Sequence, residues 1–266
     1  MVTAIPIYSQ AVIATIPACS GASSFGPSDI AVNTVTNKAY VACNDNALTV
    51  IDGASNTTTT INLPNKFSDA QVGGQIAVNE RTNKVYIANA DNNAVTVIDG
   101  ATNTVLSVTG PNGTFPSAVA VNQATNKIYA ANYGSGSVTV IDGATNATTT
   151  ISLGPNNRPI FVAVNQVTNK IYVPDQFTNN IAVIDGDTNA VATVTDPNAS
   201  MPLKLAVNPV TNKIYVAIAP RLAPQRNPGQ ATNSVVMYAS GQRGSSAYIL
   251  LGDASVLSSS AGQTAP

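Results

Sequence analysis

A nine-residue motif, Val-Asn-x-x-Thr-Asn-Lys-x-Tyr, recurs along the chain and limits what the chain can fold into. Its first asparagine stands at positions 33, 79, 122, 165 and 208, so successive copies are 46, 43, 43 and 43 residues apart. A period of this length indicates one supersecondary unit copied along the sequence. The 266 residues are therefore predicted to form one stacked or closed array and not two unrelated domains.

Each unit has the pattern of four short strands. In the third unit these are Ser117–Asn122, Lys127–Ala131, Val138–Ile141 and Thr148–Ile151, all rich in β-branched residues. Two turn sequences recur, Asn-x-x-Thr-Asn-Lys between strands one and two and Asp-Gly-Ala-Thr-Asn between strands three and four. Four antiparallel strands every 43 residues predict the blade of an all-β propeller.

The two ends of the array depart from the regular unit. Residues 2–17 align with the second half of a unit, which predicts an N-terminal half-blade before five full blades. This half-blade completes the last blade, stands alone, or belongs to a longer propeller. In the fifth unit a Pro-, Arg- and Gln-rich link, 218–233, precedes two degenerate strands. We predict a propeller over 1–252 and a flexible tail over 253–266.

The composition is poor in charge. Hydrophobic residues make up 44 % of the chain and charged residues 9 %, with a net charge of −1. A surface of Asn, Thr, Ser and Gly is typical of exported proteins, and the scattered basic residues predict no duplex nucleic acid partner. No apolar stretch approaches the roughly 18 residues of a membrane span. We expect a protein outside the cytoplasm whose leader lies outside this sequence.

Two sequences within each unit resemble a known family. They are Tyr86-Ile87-Ala88-Asn89 with Thr96 to Asn103, and Tyr129-Ala130-Ala131-Asn132 with Val140 to Asn146. Together with the nine-residue motif they resemble the YVTN family of β-propeller repeats. The resemblance implies a bacterial or archaeal secreted, periplasmic or cell-surface protein. It implies no single activity, because such propellers serve as adhesion modules, ligand binders and, in one branch, single-strand DNA binders.

Strand alternation places the two recurrent turns on one face of the array, and the variable loops on the other. On the turn face we expect the motif lysines and aspartates to pin the turns and to pair loosely within a blade, the alternative being a ring of charges that recruits an anion or a partner. The variable-loop face is where a scaffold of repeats can hold a site. The candidate binding residues there are Lys66, Phe67, Asp91, Tyr133, Arg158, Asp175, Phe177, Arg221 and Arg226.

The two cysteines also fall on the variable-loop face. Cys19 follows the half-unit, and Cys43 ends the second strand of the first full unit. A disulfide between them is the preferred interpretation over two free thiols, and it would favour an oxidising compartment. A Cα separation above about 7 Å would exclude this bond.

Catalytic signatures are scarce. The chain has no histidine and one glutamate, Glu80, beside a recurrent turn. We therefore predict a monomeric binding or scaffold protein that is not an enzyme, without catalytic residues, metal or cofactor. Its partner would be a protein, a glycan or a small molecule. The alternative is a lactonase-type propeller hydrolase with a divalent metal on Asp45, Asp91 and Asp175.

Overall fold

A computed structural model describes most of the chain. The described residues are 2–4, 12–19, 26–43, 47–63, 75–196, 201–218, 234–239 and 248–251. The predicted tail, 253–266, lies outside this part of the chain. No helix among the described residues is long and apolar enough to cross a membrane.

The described elements are all strands. In chain order they are β1 Val2–Ala4, β2 Ala14–Ile16, β3 Pro27–Asn33, β4 Lys38–Cys43, β5 Ala47–Asp52, β6 Thr58–Asn62, β7 Ile76–Asn79, β8 Lys84–Asn89, β9 Ala94–Asp99, β10 Val105–Thr109, β11 Pro116–Asn122, β12 Lys127–Asn132, β13 Ser137–Asp142, β14 Thr148–Ser152, β15 Ala163–Asn165, β16 Lys170–Asp175, β17 Asn180–Asp185, β18 Val191–Thr195, β19 Pro202–Asn208, β20 Lys213–Ile218, β21 Ser234–Ala239 and β22 Tyr248–Leu251.

These strands form five four-stranded antiparallel sheets and one two-stranded sheet. We number the sheets blade 1 (β3 to β6) to blade 5 (β19 to β22) and call β1 and β2 the half-blade. Within every blade the strands pair in chain order. In blades 1 to 4 the motif lysine therefore lies opposite the motif aspartate, as Lys127 does opposite Asp142, whereas Lys213 of blade 5 lies opposite Ala239. Both the predicted blades and the predicted half-blade are confirmed, including the degenerate strands of the fifth unit.

The recurrent turns are built by their asparagines. In blade 3, Asn122 Oδ1 accepts hydrogen bonds from the N–H groups of Ala124 (3.0 Å) and Thr125 (3.3 Å). Asn126 takes the left-handed conformation, with φ of 55°, which asparagine tolerates better than most residues. Its carbonyl accepts the Gly143 N–H at 2.8 Å, and this bond joins the two turns of the blade. A Cβ at Gly143 would lie 2.4 Å from Asn126 Oδ1, so only glycine fits there.

The hydrophobic core lies between consecutive blades. Tyr129 is fully buried with Ile171 and Val173 of blade 4. The equivalent Tyr86 of blade 2 is buried with Ile128 of blade 3. Burial raises the pKa of Tyr86 and of Tyr129 to about 12, because water no longer stabilises the phenolate. The motif tyrosine is therefore a packing residue.

A pair of hydrogen bonds, which we call the interblade joint, also connects neighbouring blades on the turn face. Asn122 Nδ2 donates to Asn169 Oδ1 of the next blade at 2.8 Å, and Lys127 Nζ donates to the Gly186 carbonyl at 2.7 Å. The asparagine bond recurs in the pairs Asn33–Asn83, Asn79–Asn126 and Asn165–Asn212, and the lysine bond in the pairs Lys38–Gly100 and Lys84–Gly143.

The expected loose pairing of lysine and aspartate within a blade is a direct salt bridge in only one of the described blades. Three motif lysines reach a carbonyl of the next blade, and among the described residues only Lys170 pairs with its own aspartate, Asp185, at 2.5 Å. The residue of blade 5 that corresponds to the acceptor glycine is Ser240, which lies outside the described part of the chain. The motif lysine thus stabilises the stack of blades and is not a member of a free ring of charge.

The motif aspartates give the fold an acid-sensitive element. Asp142 Oδ1 accepts the N–H groups of Thr145 (2.8 Å) and Ala144 (2.9 Å). These bonds favour the carboxylate and hold the pKa of Asp142 below its usual range, and Asp99 is held in the same way by Thr102 and Ala101. A lowered folded-state pKa stabilises the protein above the unfolded pKa and ceases to do so as the pH falls through the folded value.

We therefore expect thermal stability to fall as the pH is lowered below about 4. In the double variant Asp99→Asn, Asp142→Asn the asparagine Oδ1 can still accept the N–H groups of each turn, but neither position titrates. Its melting temperature should change less between pH 6 and pH 2.5 than that of the unmodified protein, as measured by circular dichroism. An equal change in both proteins would show that these two aspartates do not contribute to the acid sensitivity.

The half-blade is fixed to blade 1. Ile16 of β2 is buried with Val41, Cys43 and Ala47, which belong to β4 and β5. A disulfide joins Cys19 and Cys43 with a Cα separation of 5.3 Å, inside the usual range. The half-blade, whose sequence corresponds to strands three and four of a unit, is thereby attached to blade 1.

Candidate binding surface

Four side chains from separate loops meet on the variable-loop face between blades 3 and 4. Phe115 precedes β11, Tyr133 follows β12, Arg158 lies between β14 and β15, and Phe177 follows β16. The ring centroids of Phe115 and Tyr133 are 5.8 Å apart, and those of Tyr133 and Phe177 are 6.4 Å apart. We call these four residues the aromatic–arginine cluster.

Arg158 carries the positive charge of the cluster. Its Cζ lies 5.3 Å from the centroid of the Tyr133 ring and 5.6 Å from that of the Phe177 ring. These are cation–π distances. The side chain is exposed, and among the described residues no hydrogen bond or ion pair occupies its guanidinium group. The N–H donors of Arg158 are thus held between two rings and remain available to a ligand.

Asp175 positions this arginine from below. It is 1 % exposed, and its Oδ2 accepts the backbone N–H of Arg158. Its Oδ1 accepts the N–H groups of Phe177 (2.8 Å) and Thr178 (2.9 Å). The carboxylate of Asp175 therefore fixes the backbone of both Arg158 and Phe177.

In blades 3, 4 and 5 the residue before the first proline of the blade occupies an equivalent place on the variable-loop face. These residues are Phe115, Arg158 and Met201 in blades 3, 4 and 5. The N–H of Phe115 donates to Asn93 Oδ1 at 2.7 Å, and that of Met201 donates to Asn179 Oδ1 at 2.8 Å. Phe115 and Met201 have φ of 54° and 50°, a costly conformation for such side chains that the hydrogen bonds help to hold. Phe115 and Met201 are thus held by an asparagine of the preceding blade, whereas Arg158 is held by Asp175 of the blade that it precedes.

The structure brings three of the predicted residues together, Tyr133, Arg158 and Phe177. It places Asp175 beneath them as a support, although it had been chosen as a ligand-binding carboxylate. Asp91 lies exposed in the turn between β8 and β9. The other predicted residues, Lys66, Phe67, Arg221 and Arg226, lie outside the described part of the chain.

Sequence reasoning missed Phe115 although a signal for it existed. Phe115 and Arg158 both precede a proline, at equivalent positions of consecutive units. The position that presents Arg158 in one unit therefore presents Phe115 in the preceding unit, and this equivalence is the signal for Phe115.

The carboxylates named for a metal-dependent hydrolase do not form a site in the described part of the chain. No three His, Cys, Asp or Glu residues come together there, and both oxygens of Asp175 accept backbone N–H groups. Asp45 lies outside the described residues. Glu80 accepts the N–H and the hydroxyl of Thr34, both at 2.7 Å, which lowers its pKa and links blades 1 and 2.

Solved structures share this architecture. Hydrazine synthase of Kuenenia stuttgartiensis has a TM-score of 0.73 at 17 % identity, with 90 % of this chain and 70 % of that chain covered. Virginiamycin B lyase of Staphylococcus aureus has a TM-score of 0.61 at 16 % identity over 85 % of each chain. A chain of a nidogen–laminin complex has a TM-score of 0.56 at 11 % identity over 79 % of this chain and 74 % of that one.

The chain is a β-propeller. No protein-family model and no curated protein sequence matches it. The similar structures show the fold alone, since all are less than 25 % identical to this chain. They include both enzymes and a member of a protein complex.

The prediction that the chain is not an enzyme is wrong as a conclusion from fold and composition. Two of the similar structures are named as enzymes, a synthase and a lyase. The scarcity of histidine and glutamate in this chain does not exclude catalysis. Proteins named as enzymes share this architecture, so the propeller scaffold does not separate binding proteins from enzymes.

Proposed function

We propose that this propeller binds an acidic ligand, carrying a carboxylate, phosphate or sulfate group, at the aromatic–arginine cluster on its variable-loop face. The observation that carries the proposal is the placement of Arg158 between Tyr133 and Phe177, with no described partner for its guanidinium group. Its planar set of N–H donors matches the two oxygens of an acidic group.

The arrangement lowers the cost of binding such a group. A free arginine side chain loses considerable rotamer entropy when it engages a ligand, whereas Arg158 is already confined by two rings. The support from Asp175 fixes the backbone on both sides of the cluster. Phe177, which is 57 % exposed, offers an apolar surface beside the donors. The preferred ligand is therefore an acidic group attached to a ring or another apolar body.

The proposal includes the YVTN family and a location outside the cytoplasm. The nine-residue motif and the Ile-Asp-Gly-x-Thr-Asn turns support the family. The Cys19–Cys43 disulfide supports an oxidising compartment, because such bonds are rare among reduced cytosolic proteins. A partner in that compartment would meet the variable-loop face, since the turn face is occupied with the interblade joints.

Binding of small aromatic acids tests the proposal. Benzoate, phenyl phosphate and phenyl sulfate are titrated by calorimetry or by ligand-observed NMR, with phenol as the neutral probe. We expect at least one acid to bind and phenol not to bind. Arg158→Ala should weaken binding about 10- to 100-fold, as expected for the loss of a charged hydrogen-bonded pair. The affinity of Arg158→Lys should lie between those of Arg158→Ala and the unmodified protein, because lysine keeps the charge but lacks the planar set of donors.

Lys204→Ala is the matched control, because it also removes one positive charge from an exposed position, in blade 5. It should leave binding unchanged. Binding that falls equally in the Lys204 and Arg158 variants would indicate attraction to net charge and would contradict a site at the cluster. Failure of all three acids to bind at millimolar concentration would contradict it as well.

A further inference from the structure

The link that enters blade 4 is supported differently from the links that enter blades 3 and 5. In those two links the turn between strands two and three of the preceding blade supplies an asparagine acceptor. Asn93 accepts the N–H of Phe115 at 2.7 Å, and Asn179 accepts the N–H of Met201 at 2.8 Å. We call this the asparagine contact. The link between these two, 153–158, does not make it, because the preceding turn has a glycine at that position.

Gly136 is the residue that stands in place of the asparagine. Its φ is 61°, close to the 51° of Asn93 and the 56° of Asn179, so the backbone is left-handed at all three positions. Only the side chain is missing in blade 3. A Cβ at Gly136 would lie 2.6 Å from the carbonyl oxygen of Asn157, which is closer than atoms in contact can approach. Any side chain there would therefore displace the residue that precedes Arg158.

The link lies directly on this glycine. The N–H of Leu153 donates to the Gly136 carbonyl at 3.0 Å. Asn157 is 9 % exposed, and its Nδ2 donates to the Leu153 carbonyl at 2.8 Å. Its Oδ1 accepts the hydroxyl of Thr178, in blade 4, at 3.2 Å. The close approach at Gly136 thus fixes the neighbour of Arg158 between blades 3 and 4.

A second exchange, in blade 4, supplies the acceptor that the link has lost. Strand two ends in asparagine in blades 2 and 3, at Asn89 and Asn132, but in Asp175 in blade 4. Asn132 Nδ2 donates to two hydroxyl groups of its own blade. Asp175 instead accepts three backbone N–H groups, one of them from Arg158. Both of its oxygens accept, which an asparagine side chain cannot do because its nitrogen is a donor.

The change of support changes the backbone of the residue that is held. Phe115 and Met201 have φ of 54° and 50°, whereas Arg158 does not take the left-handed conformation. Since φ sets the direction of the Cα–Cβ bond relative to the preceding peptide, the side chain of Arg158 leaves the link in a different direction. Its Cζ lies 5.3 Å from the centroid of the Tyr133 ring.

We infer that Gly136 and Asp175 are the positioning residues of the candidate site, and that together they set its specificity for an acidic group by holding Arg158 over Tyr133. The ligand in this assignment rests on the proposed function, whereas the placement of Arg158 is measurable without a ligand. Gly136 is buried and Asp175 is 1 % exposed. A substitution at either position therefore acts on a ligand through Arg158.

Asp175→Asn is the first test, because positioning and charge predict opposite results. Asparagine Oδ1 can still accept the N–H groups of Phe177 and Thr178, but Nδ2 cannot accept that of Arg158. If Asp175 acted only through its negative charge, its removal would strengthen the binding of an anion. We expect instead that benzoate and phenyl sulfate bind about tenfold more weakly, as measured by calorimetry. Unchanged or stronger binding would overturn the assignment.

Gly136→Asn is the second test, because it gives blade 3 the residue that blades 2 and 4 have. Its Cβ meets the Asn157 carbonyl, so the link must move and Arg158 must move with it. The affinity for the same two acids should fall about tenfold. Asn179→Gly is the matched control, since it makes the opposite exchange and leaves the three bonds of Asp175 in place. An equal loss in the control would contradict a specific role of Gly136.

Nuclear magnetic resonance tests the placement of Arg158 without a ligand. In the unmodified protein the ring current of Tyr133 should shift the side-chain protons of Arg158 upfield. In Asp175→Asn and in Gly136→Asn this shift should decrease towards that of an exposed arginine, and in Asn179→Gly it should persist. An unchanged shift in the first two variants would overturn the assignment even if acids bind. Loss of the native circular-dichroism spectrum in both would overturn it too, by showing a purely structural role.

The ring-current shift also separates this assignment from the proposed function. If no acid binds to the unmodified protein, the proposed function is contradicted, but the shift of the Arg158 protons still decides whether Gly136 and Asp175 position the side chain. If acids bind and depend on Arg158 while the shift is the same in all variants, the proposed function stands and the positioning role is excluded.

Discussion

Replacing Asn122 with alanine is expected to destabilise the protein by about 2–4 kcal/mol. The side chain makes three hydrogen bonds, accepting two N–H groups of its own turn and donating to Asn169 of the next blade. It is fully buried, so the groups left without a partner are not readily reached by water. Equilibrium unfolding in urea, followed by circular dichroism, measures the change in the free energy of unfolding.

Asn208→Ala is the matched control for this substitution. Asn208 makes the same two turn bonds, but no residue of the described chain accepts from its Nδ2. The Asn208 variant should therefore lose only the contribution of the turn, about 1 kcal/mol. The difference between the two variants measures the asparagine bond of the joint. Equal losses would show that the bond between blades contributes nothing to stability.

The strands and their order were predictable because each repeat contains sequence signals that determine structure locally. The β-branched strands, the Asx turn of Asn122 and the left-handed Asn126 act over fewer than ten residues, and five copies of the pattern repeat the signal. The partner of Lys127 was not predictable in the same way. Opposite Asp142 in its own sheet, it bonds instead to Gly186, which is 59 residues away. Sequence shows which residues share a blade but not how far one blade is rotated against the next.

The candidate site shows the same limit. Tyr133, Arg158 and Phe177 were each chosen because aromatic and charged residues in variable loops are typical of binding sites. Their contact depends on three loops of two blades, and the sequence contains no measure of that distance. The role of Asp175 was misjudged because an aspartate after a strand fits either a metal ligand or an Asx turn. Asp175 is 1 % exposed and accepts three backbone N–H groups, which shows that its carboxylate holds the turn.

The aromatic–arginine cluster depends on the variable part of the repeat. It uses positions at which the copies differ, such as Phe115 and Arg158 before their prolines. A ligand of this surface would therefore be specific to this chain and not to every repeat of this type.

Removal of the disulfide is expected to lower the free energy of unfolding by about 3.5 kcal/mol, the chain-entropy value for a loop of this length. The bond closes a loop with a sequence separation of 24 and is made by Cys43, which is fully buried, and Cys19. The double variant Cys19→Ala, Cys43→Ala is preferred to serine substitutions, because a serine at the buried position 43 would introduce a hydroxyl group without a hydrogen-bond partner. Urea unfolding of this variant and of the unmodified protein, with and without dithiothreitol, gives the change.

The loss should be concentrated in the half-blade. Without the bond, β2 is held by Ile16 and by the hydrogen bond from the Cys19 N–H to Thr49 Oγ1 at 3.2 Å. Hydrogen exchange should therefore accelerate in β2, β4 and β5 of the double variant while blades 3 and 4 stay protected. Thr49→Val, which removes only the hydrogen-bond acceptor, is the control and should cost about 1 kcal/mol. Uniform acceleration in all blades would mean that the disulfide stabilises the whole array, and that the half-blade is not an independently attached element.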